Sequence, residues 1–170
     1  MKLSIEEKQE LENIYQSFLH NEKIMRMKDV PMHRGSNCYI HSFRVAKLSI
    51  KRAIRHFKGN LKHILMGAIL HDYYLYDWRV EKDKKSKHLK NHPHTAIKNA
   101  EDDFEIDEDI KNIIKTHMWP INFKDFPSSK EARIVTLADK TIAFKESMTS
   151  KKFKAKRMDK YLNKITNLFD

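Results

Sequence analysis

The residues best suited to chemistry in this chain are an adjacent pair, His71-Asp72, at the end of a stretch carrying Leu61, Ile64, Leu65, Ala68 and Ile69. Those apolar residues recur at helical spacing, so the stretch faces a core. A carboxylate carried into a core is costly unless it is paired or bound to a metal. Imidazole and carboxylate are both metal ligands, and a divalent cation would neutralise the charge. Taken alone, the pair also fits a helix-ending His beside a capping Asp. The rest of the chain repeats the pattern. His41 lies among Ile40, Phe43, Val45 and Ala46, and His117 closes a stripe of Ile110, Ile113 and Ile114. Asp139 follows Ile134, Val135, Leu137 and Ala138, and His92 stands just before Pro93. Each of these alone could be a satisfied core histidine or an ordinary helix-end carboxylate. Distributed over separate helices in the order His, His-Asp, His, His, Asp, they point to one shared site.

Helices must position these residues. The chain has 170 residues, a length for one domain with a real core, and only 3 Gly and 4 Pro, which argues against a turn-rich β fold. Hydrophobic residues make up 40% and charged residues 34%, a globular composition. Cys38 is the one cysteine, which excludes an internal disulfide and a cysteine-based zinc site and fits a reducing compartment. The N-terminus lacks the apolar core of a signal peptide, and no apolar run reaches membrane-spanning length, so a cytoplasmic protein without a membrane partner is expected. The net charge of +11 favours anionic partners: nucleotides, nucleic acid or acidic surfaces.

Ser4 with Glu7 is a capping-box signature, and the periodicity predicts a first helix from about Ser4 to Met25. A loop from Lys28 to Asn37 carries His33-Arg34, a pair suited to anion contact. A second helix runs from Ser36 or Asn37 to about Phe57, and a third from Asn60 to about Tyr74. Residues Arg79 to Lys90 read as a solvated loop. Pro93 suits the first turn of a helix, which places His92 at a helix start and the end near Asp103. Asp107 caps the next helix, which stops at Thr116–Pro120, and Ser129 caps another that runs to about Thr149. A basic stretch, Lys151 to Arg157, leads into a last amphipathic helix through Tyr161, Leu162, Ile165 and Leu168. No stretch reads as a convincing strand. The expected fold is all-α, a single helical bundle over residues 1–170.

The motifs His41-Ser42-Phe43-Arg44-Val45-Ala46, Leu70-His71-Asp72, His92-Pro93, His117-Met118 and Ala138-Asp139-Lys140 together resemble the HD-domain superfamily of metal-dependent phosphohydrolases. The resemblance covers about His33 to Lys140. It implies a helical core over that range with a basic C-terminal extension at 151–170. Leu75-Tyr76-Asp77-Trp78 further resembles a subgroup of small stand-alone bacterial members. By this resemblance His41, His71, Asp72 and Asp139 hold one metal. His92 and His117 hold a second, and the Asp72 carboxylate bridges the two. His88 and His94 lie close to His92, which is preferred for its place before Pro93. Two departures stand out. Leu75 occupies the place of a lysine often found after the pair, and a further motif of members that cleave cyclic dinucleotides is missing.

Mixed His and carboxylate ligation suits Mn, Fe, Co, Ni or Zn, with Mg admissible, better than calcium. Such an ion pair makes water a nucleophile at neutral pH and stabilises charge on phosphoryl oxygens. Asp72 and Lys140 are the expected catalytic residues. Lys140, His33, Arg34, His88 and Arg79 would serve as phosphate clamps or proton donors, although each also reads as a solvated charge. Met118 and Trp119 read as core or pocket wall rather than a base-stacking platform. The expected activity is hydrolysis of a nucleotide or other small phosphate ester by a metal-activated water. The alternative is a nucleic-acid-binding protein, or an HD-type nuclease, that uses the basic C-terminal region. A basic run near a terminus is also an ordinary solvated face, and no nucleic-acid-binding motif is present.

Overall fold

Side-chain caps decide where most of the helices begin. The computed structural model describes residues 3–32, 36–56, 59–80, 87–148 and 162–169, and no strand occurs among them. Helix α1 (Ile5–Leu19) starts on the expected capping box, with the Glu7 N–H donating to Ser4 Oγ and the Ser4 N–H to Glu7 Oε2. It is shorter than the sequence suggests. The Asn21 side chain accepts from the Lys23 and Ile24 N–H groups, so a new short helix, α2 (Glu22–Met25), starts there, followed by a 3-10 turn at Arg26–Asp29. Local capping overrides the apolar periodicity here. Helix α3 (Cys38–His56) buries Ile40, His41, Phe43, Val45 and Ile50.

Asn60 caps α4 (Leu61–Leu70), an apolar helix that ends four residues before the expected Tyr74. The chain turns instead at His71-Asp72. The Tyr73 N–H bonds the Leu70 carbonyl, and Leu75 takes a left-handed φ of 55°. A bulky residue there carries about 1–3 kcal/mol of strain. The turn brings the neighbouring Tyr74 and Tyr76 rings into the core. It is pinned from α5 (His88–Asp103), where the Tyr73 hydroxyl donates to Asp103 Oδ2 and Asn99 Nδ2 donates to the Tyr73 carbonyl. Helix α5 corrects a second expectation. It starts at His88 rather than at Pro93, so Pro93 is inside the helix and His92 lies one turn in, not at the start. The first-turn preference of proline is a tendency, and here the helix continues through Pro93. Asp107 and Ser129 cap α6 (Glu108–Thr116) and α7 (Lys130–Ser147) as expected.

Helix α3 packs along α4 and α7, and α4 packs on α6. Ile64, Leu65, Ile69, Ile113, Ile114, Val135 and Ala138 fill the space between them. Of the expected C-terminal helix, Leu162 to Phe169 is described, and there only 162–164 are helical while 165–169 form turns, so the helix does not continue through Ile165 and Leu168. The Ile165 carbonyl accepts from the Tyr15 hydroxyl, and Ile165 and Leu168 are buried. The basic stretch Lys151–Arg157 and Tyr161 lie outside the described residues. No described helix is long and apolar enough to cross a membrane.

Helices α4 and α6 pack tightly at Gly67, where a Cβ would stand 2.7 Å from Ile113 Cγ2 and 2.9 Å from its Cβ. Those atoms sit beside the α6 backbone and cannot swing away. Gly67 is one turn before His71, and Ile113 one turn before His117, so this contact sets how near the two histidines come. Alanine would add about 1 kcal/mol of helix propensity and cost about 1–3 kcal/mol in overpacking. Gly67→Ala is therefore expected to lower the urea midpoint with an unchanged m value, a net loss on the order of 1 kcal/mol. A midpoint at or above that of the parent chain would contradict this account of the α4–α6 contact.

Candidate metal centre

Five helices deliver six polar residues to one buried point. His41 is in the first turn of α3, and His92 is one turn into α5. His71 and His117 cap the C-termini of α4 and α6, and Asp72 follows His71 directly. Asp139 is on the inner face of α7 with Ala138 and Ile142. All six are buried. Their donor atoms form two groups of three, His41, His71 and Asp139 in one and Asp72, His92 and His117 in the other, with the atoms of each group within 4.8 Å of one another.

Asp72 faces both groups. Its Oδ2 is 3.1 Å from His71 Nε2 and 3.8 Å from His41 Nε2, whereas its Oδ1 is 3.3 Å from His92 Nε2 and 3.6 Å from His117 Nε2. Asp139 Oδ1 is 3.1 Å from His41 Nε2 and 3.8 Å from His71 Nε2.

The opposite nitrogen of each ring fixes which atom faces inward. His71 Nδ1 lies 2.8 Å from the Ala68 carbonyl, His92 Nδ1 2.9 Å from the His88 carbonyl, and His117 Nδ1 2.6 Å from the Ile114 carbonyl. A carbonyl only accepts, so these nitrogens carry protons, and in the neutral ring each Nε2 presents a lone pair. His92 Nε2 and His117 Nε2 then stand 2.9 Å apart, lone pair to lone pair. The buried His71 Nε2 has no hydrogen-bond partner among the described residues. Such an arrangement suits positive charge at its centre, and the donor set of imidazoles and carboxylates fits a divalent cation.

The electrostatics follow the same division. Burial alone would lower His41, but its hydrogen bonds to Asp139 and Glu146 and their charges push it up to about 9. Burial likewise opposes His71, which Asp72 and Asp139 push up to about 10. His117 is pushed down to about 3 by burial and by the nearby His71 and His92. Burial would raise the two aspartates. The His71 and His92 rings hold Asp72, and the His41 and His71 rings hold Asp139, well below the usual carboxylate range. The carboxylates stay charged, and an ion there would displace protons from the first group.

Lys140 Nζ donates to Asp139 Oδ2 at 2.9 Å and lines a cavity of about 600 Å³ whose floor includes Asp72, His92, His117 and Asp139. Arg79 and His88 also line it, with Trp78, Met118 and Ile121 as apolar wall. Arg79 is held by Asp77 through two bonds of 3.0 and 3.1 Å. His88 stays out of both donor groups. It stacks on His92 and Trp78, its Nδ1 is 2.9 Å from the Tyr76 hydroxyl, and burial pushes it down to about 4. His94, the alternative to His92, is exposed on the other side of α5. Met118 is cavity wall, whereas Trp119 packs edge-on against Phe126. His33 and Arg34 lie outside the described residues. The residue that sequence reasoning missed is Glu146, a buried carboxylate at His41 Nδ1. Its spacing, two helical turns past Asp139 on the same face of α7, was the available signal.

A family model described as HD domain matches residues 38–143, more than half of the chain, and that stretch contains all six residues of the two donor groups. The HD-domain family consists in general of metal-dependent phosphohydrolases. No curated protein and no solved structure matches the chain.

The facing lone pairs predict a strong response to metal. Mn or Co added to chelator-treated protein should raise the melting temperature, by about 2.7 kcal/mol of stabilisation at a free concentration a hundred times Kd. Calcium should leave it nearly unchanged. A melting curve indifferent to every transition metal tested would rule out the cation-binding reading of the cluster.

Proposed function

This chain belongs to the HD-domain family, and we propose that it is an enzyme that hydrolyses a small phosphate ester, a nucleotide in the first instance, with water as the nucleophile. One observation carries this reading. The two oxygens of Asp72 are divided between two buried donor groups at the floor of a cavity that also presents Lys140 and Arg79. In this reading His41, His71 and Asp139 hold one divalent ion, His92 and His117 hold a second, and Asp72 serves both. The metals that suit this set are Mn, Fe, Co, Ni or Zn, with Mg admissible. When bound, such ions supply Lewis acidity, which acidifies water and polarises a phosphoryl oxygen.

The chain's own residues do the remaining work. Lys140 reaches the cavity while bonded to Asp139, so its ammonium is placed beside the donor groups to bind a phosphate oxygen. Arg79, steadied by the Asp77 fork, offers a second cationic contact at the wall. Trp78, Met118 and Ile121 present apolar surface for the organic part of the ester and keep bulk water from that side. About 600 Å³ lies within the usual range for a small-molecule site. Cys38 is no competing nucleophile. Its thiol is buried against the Tyr74 hydroxyl, and burial pushes its ionisation well up. The nucleic-acid-binding alternative rests on Lys151–Arg157, which lie outside the described residues.

A chelator should abolish hydrolysis, and Mn, Co, Ni or Fe should restore it. In isotopically labelled water the label should appear in the released phosphate; turnover without label in the phosphate would exclude attack by water on phosphorus. Asp72→Ala should lower kcat/KM by about 10²–10³-fold or more, whereas Lys140→Ala and Arg79→Ala should chiefly raise KM, by about tenfold each. Elemental analysis tests the ligand assignment separately. His92→Ala and His117→Ala should each lose one ion per chain, Asp72→Ala both and His94→Ala neither. A full metal complement in Asp72→Ala would refute the shared role of that carboxylate.

A further inference from the structure

A histidine that turns Nε2 inward needs an acceptor for its Nδ1–H, and helix geometry supplies one for three of the four. His71 and His117 sit at helix C-termini, where the last backbone carbonyls have no helical partner, and they use Ala68 O and Ile114 O. His92 uses the carbonyl one turn back. His41 does not use the carbonyl one turn back, Asn37 O, which accepts the His41 backbone N–H instead. It is in the first turn of α3, where the backbone offers unpaired N–H groups instead of carbonyls. Its acceptor comes from another helix. Glu146 Oε2 of α7 is 2.9 Å from His41 Nδ1, and Glu146 Oε1 pairs with Arg44, one turn beyond His41 on α3. Glu146 is only 3% exposed, so its charge acts without solvent screening. Both of its oxygens are engaged, which excludes it as a further ligand.

We propose that Glu146 is the positioning residue of the metal centre and that it makes His41, His71 and Asp139 the tighter of the two ion-binding groups. This rests on the reading of those residues as ligands. Glu146 locks the His41 tautomer that leaves Nε2 free, and it does so with an anion where the other three rings have a neutral carbonyl. An anionic acceptor strengthens the imidazole as a donor more than a carbonyl does. Arg44 offsets the cost of burying the carboxylate. Because Asp139 and Glu146 share one face of α7, that single helix addresses both ring nitrogens of His41, at 3.1 and 2.9 Å. The ring cannot rotate away from the centre without breaking one of those contacts.

The test titrates chelator-treated full-length protein with Co(II), following the visible absorption spectrum and obtaining both dissociation constants by chelator competition. Glu146→Ala should weaken the tighter step about 10–100-fold and alter its Co(II) spectrum, with the weaker step unchanged. Glu146→Gln has nearly the same size and keeps an acceptor oxygen without the charge, so it should show a smaller loss and a partly restored spectrum. If Glu146→Ala does not fold, as judged by circular dichroism, Glu146→Gln carries the test alone. Wild-type constants and spectra in the folded variants would overturn the inference, as would a loss confined to the weaker step. Wild-type protein that takes up no Co(II) would overturn the functional reading itself; two ions in the wild type with no effect at Glu146 would overturn this inference only.

Discussion

Four imidazole nitrogens and two carboxylates face one another in the middle of a helical core, and the rest of the molecule is arranged around that fact. Without a cation the centre has to hold extra protons, since His92 Nε2 and His117 Nε2 can bond each other only if one of the two rings is doubly protonated. The Nε2 atoms of His92 and His117 meet at 2.9 Å with both outer nitrogens already donating to carbonyls. A divalent cation would answer every lone pair of the neutral rings and the charge of both carboxylates. All six residues lie within the stretch that matches the HD-domain family.

Helix ends are the tools with which this centre is built. A C-terminus has spare carbonyls, and α4 and α6 each place a histidine there, so ring orientation comes from the backbone itself. The close contact of Gly67 with Ile113, one turn earlier on each helix, then determines the spacing of those two rings. The N-terminal end of α3 lacks that resource, and a buried carboxylate from α7 takes its place. The two donor groups are alike in residue types and unlike in what stands behind them.

The cavity belongs to a second structural decision, the turn that follows Asp72. Ending α4 at Leu70 costs the left-handed Leu75 but turns Tyr74, Tyr76 and Trp78 toward α5, where they enclose His88. That aromatic wall shields one side of the donor groups from water, while Lys140 and Arg79 keep cationic contacts at the cavity. A low-dielectric wall beside a pair of cations strengthens their attraction for an anion.

The sequence by itself determined the class of the fold and pointed to five of the six residues that meet at the centre. Helical periodicity, the caps at Ser4, Asn60, Asp107 and Ser129, and the scarcity of glycine all act over a few residues and can be read locally. A histidine or aspartate within an apolar stripe announces its own burial, which is why His41, His71, Asp72, His117 and Asp139 were legible. Tertiary structure alone decided the rest. His92 and His94 are both near Pro93, and only the rotation of α5 against α6 turns the first inward and the second outward. Helix α1 breaks at Asn21 and α4 stops at Leu70 because of a side-chain cap and a packed turn, both stronger than periodicity. The division of the donors into two groups, with Asp72 facing both, depends on contacts between helices far apart in the chain. Glu146 carries no local signal beyond its charge and its spacing from Asp139, and it is the packing of α7 along α3 that brings it to His41. Local pattern encodes which residues are buried, whereas the packing of helices encodes which buried residues meet.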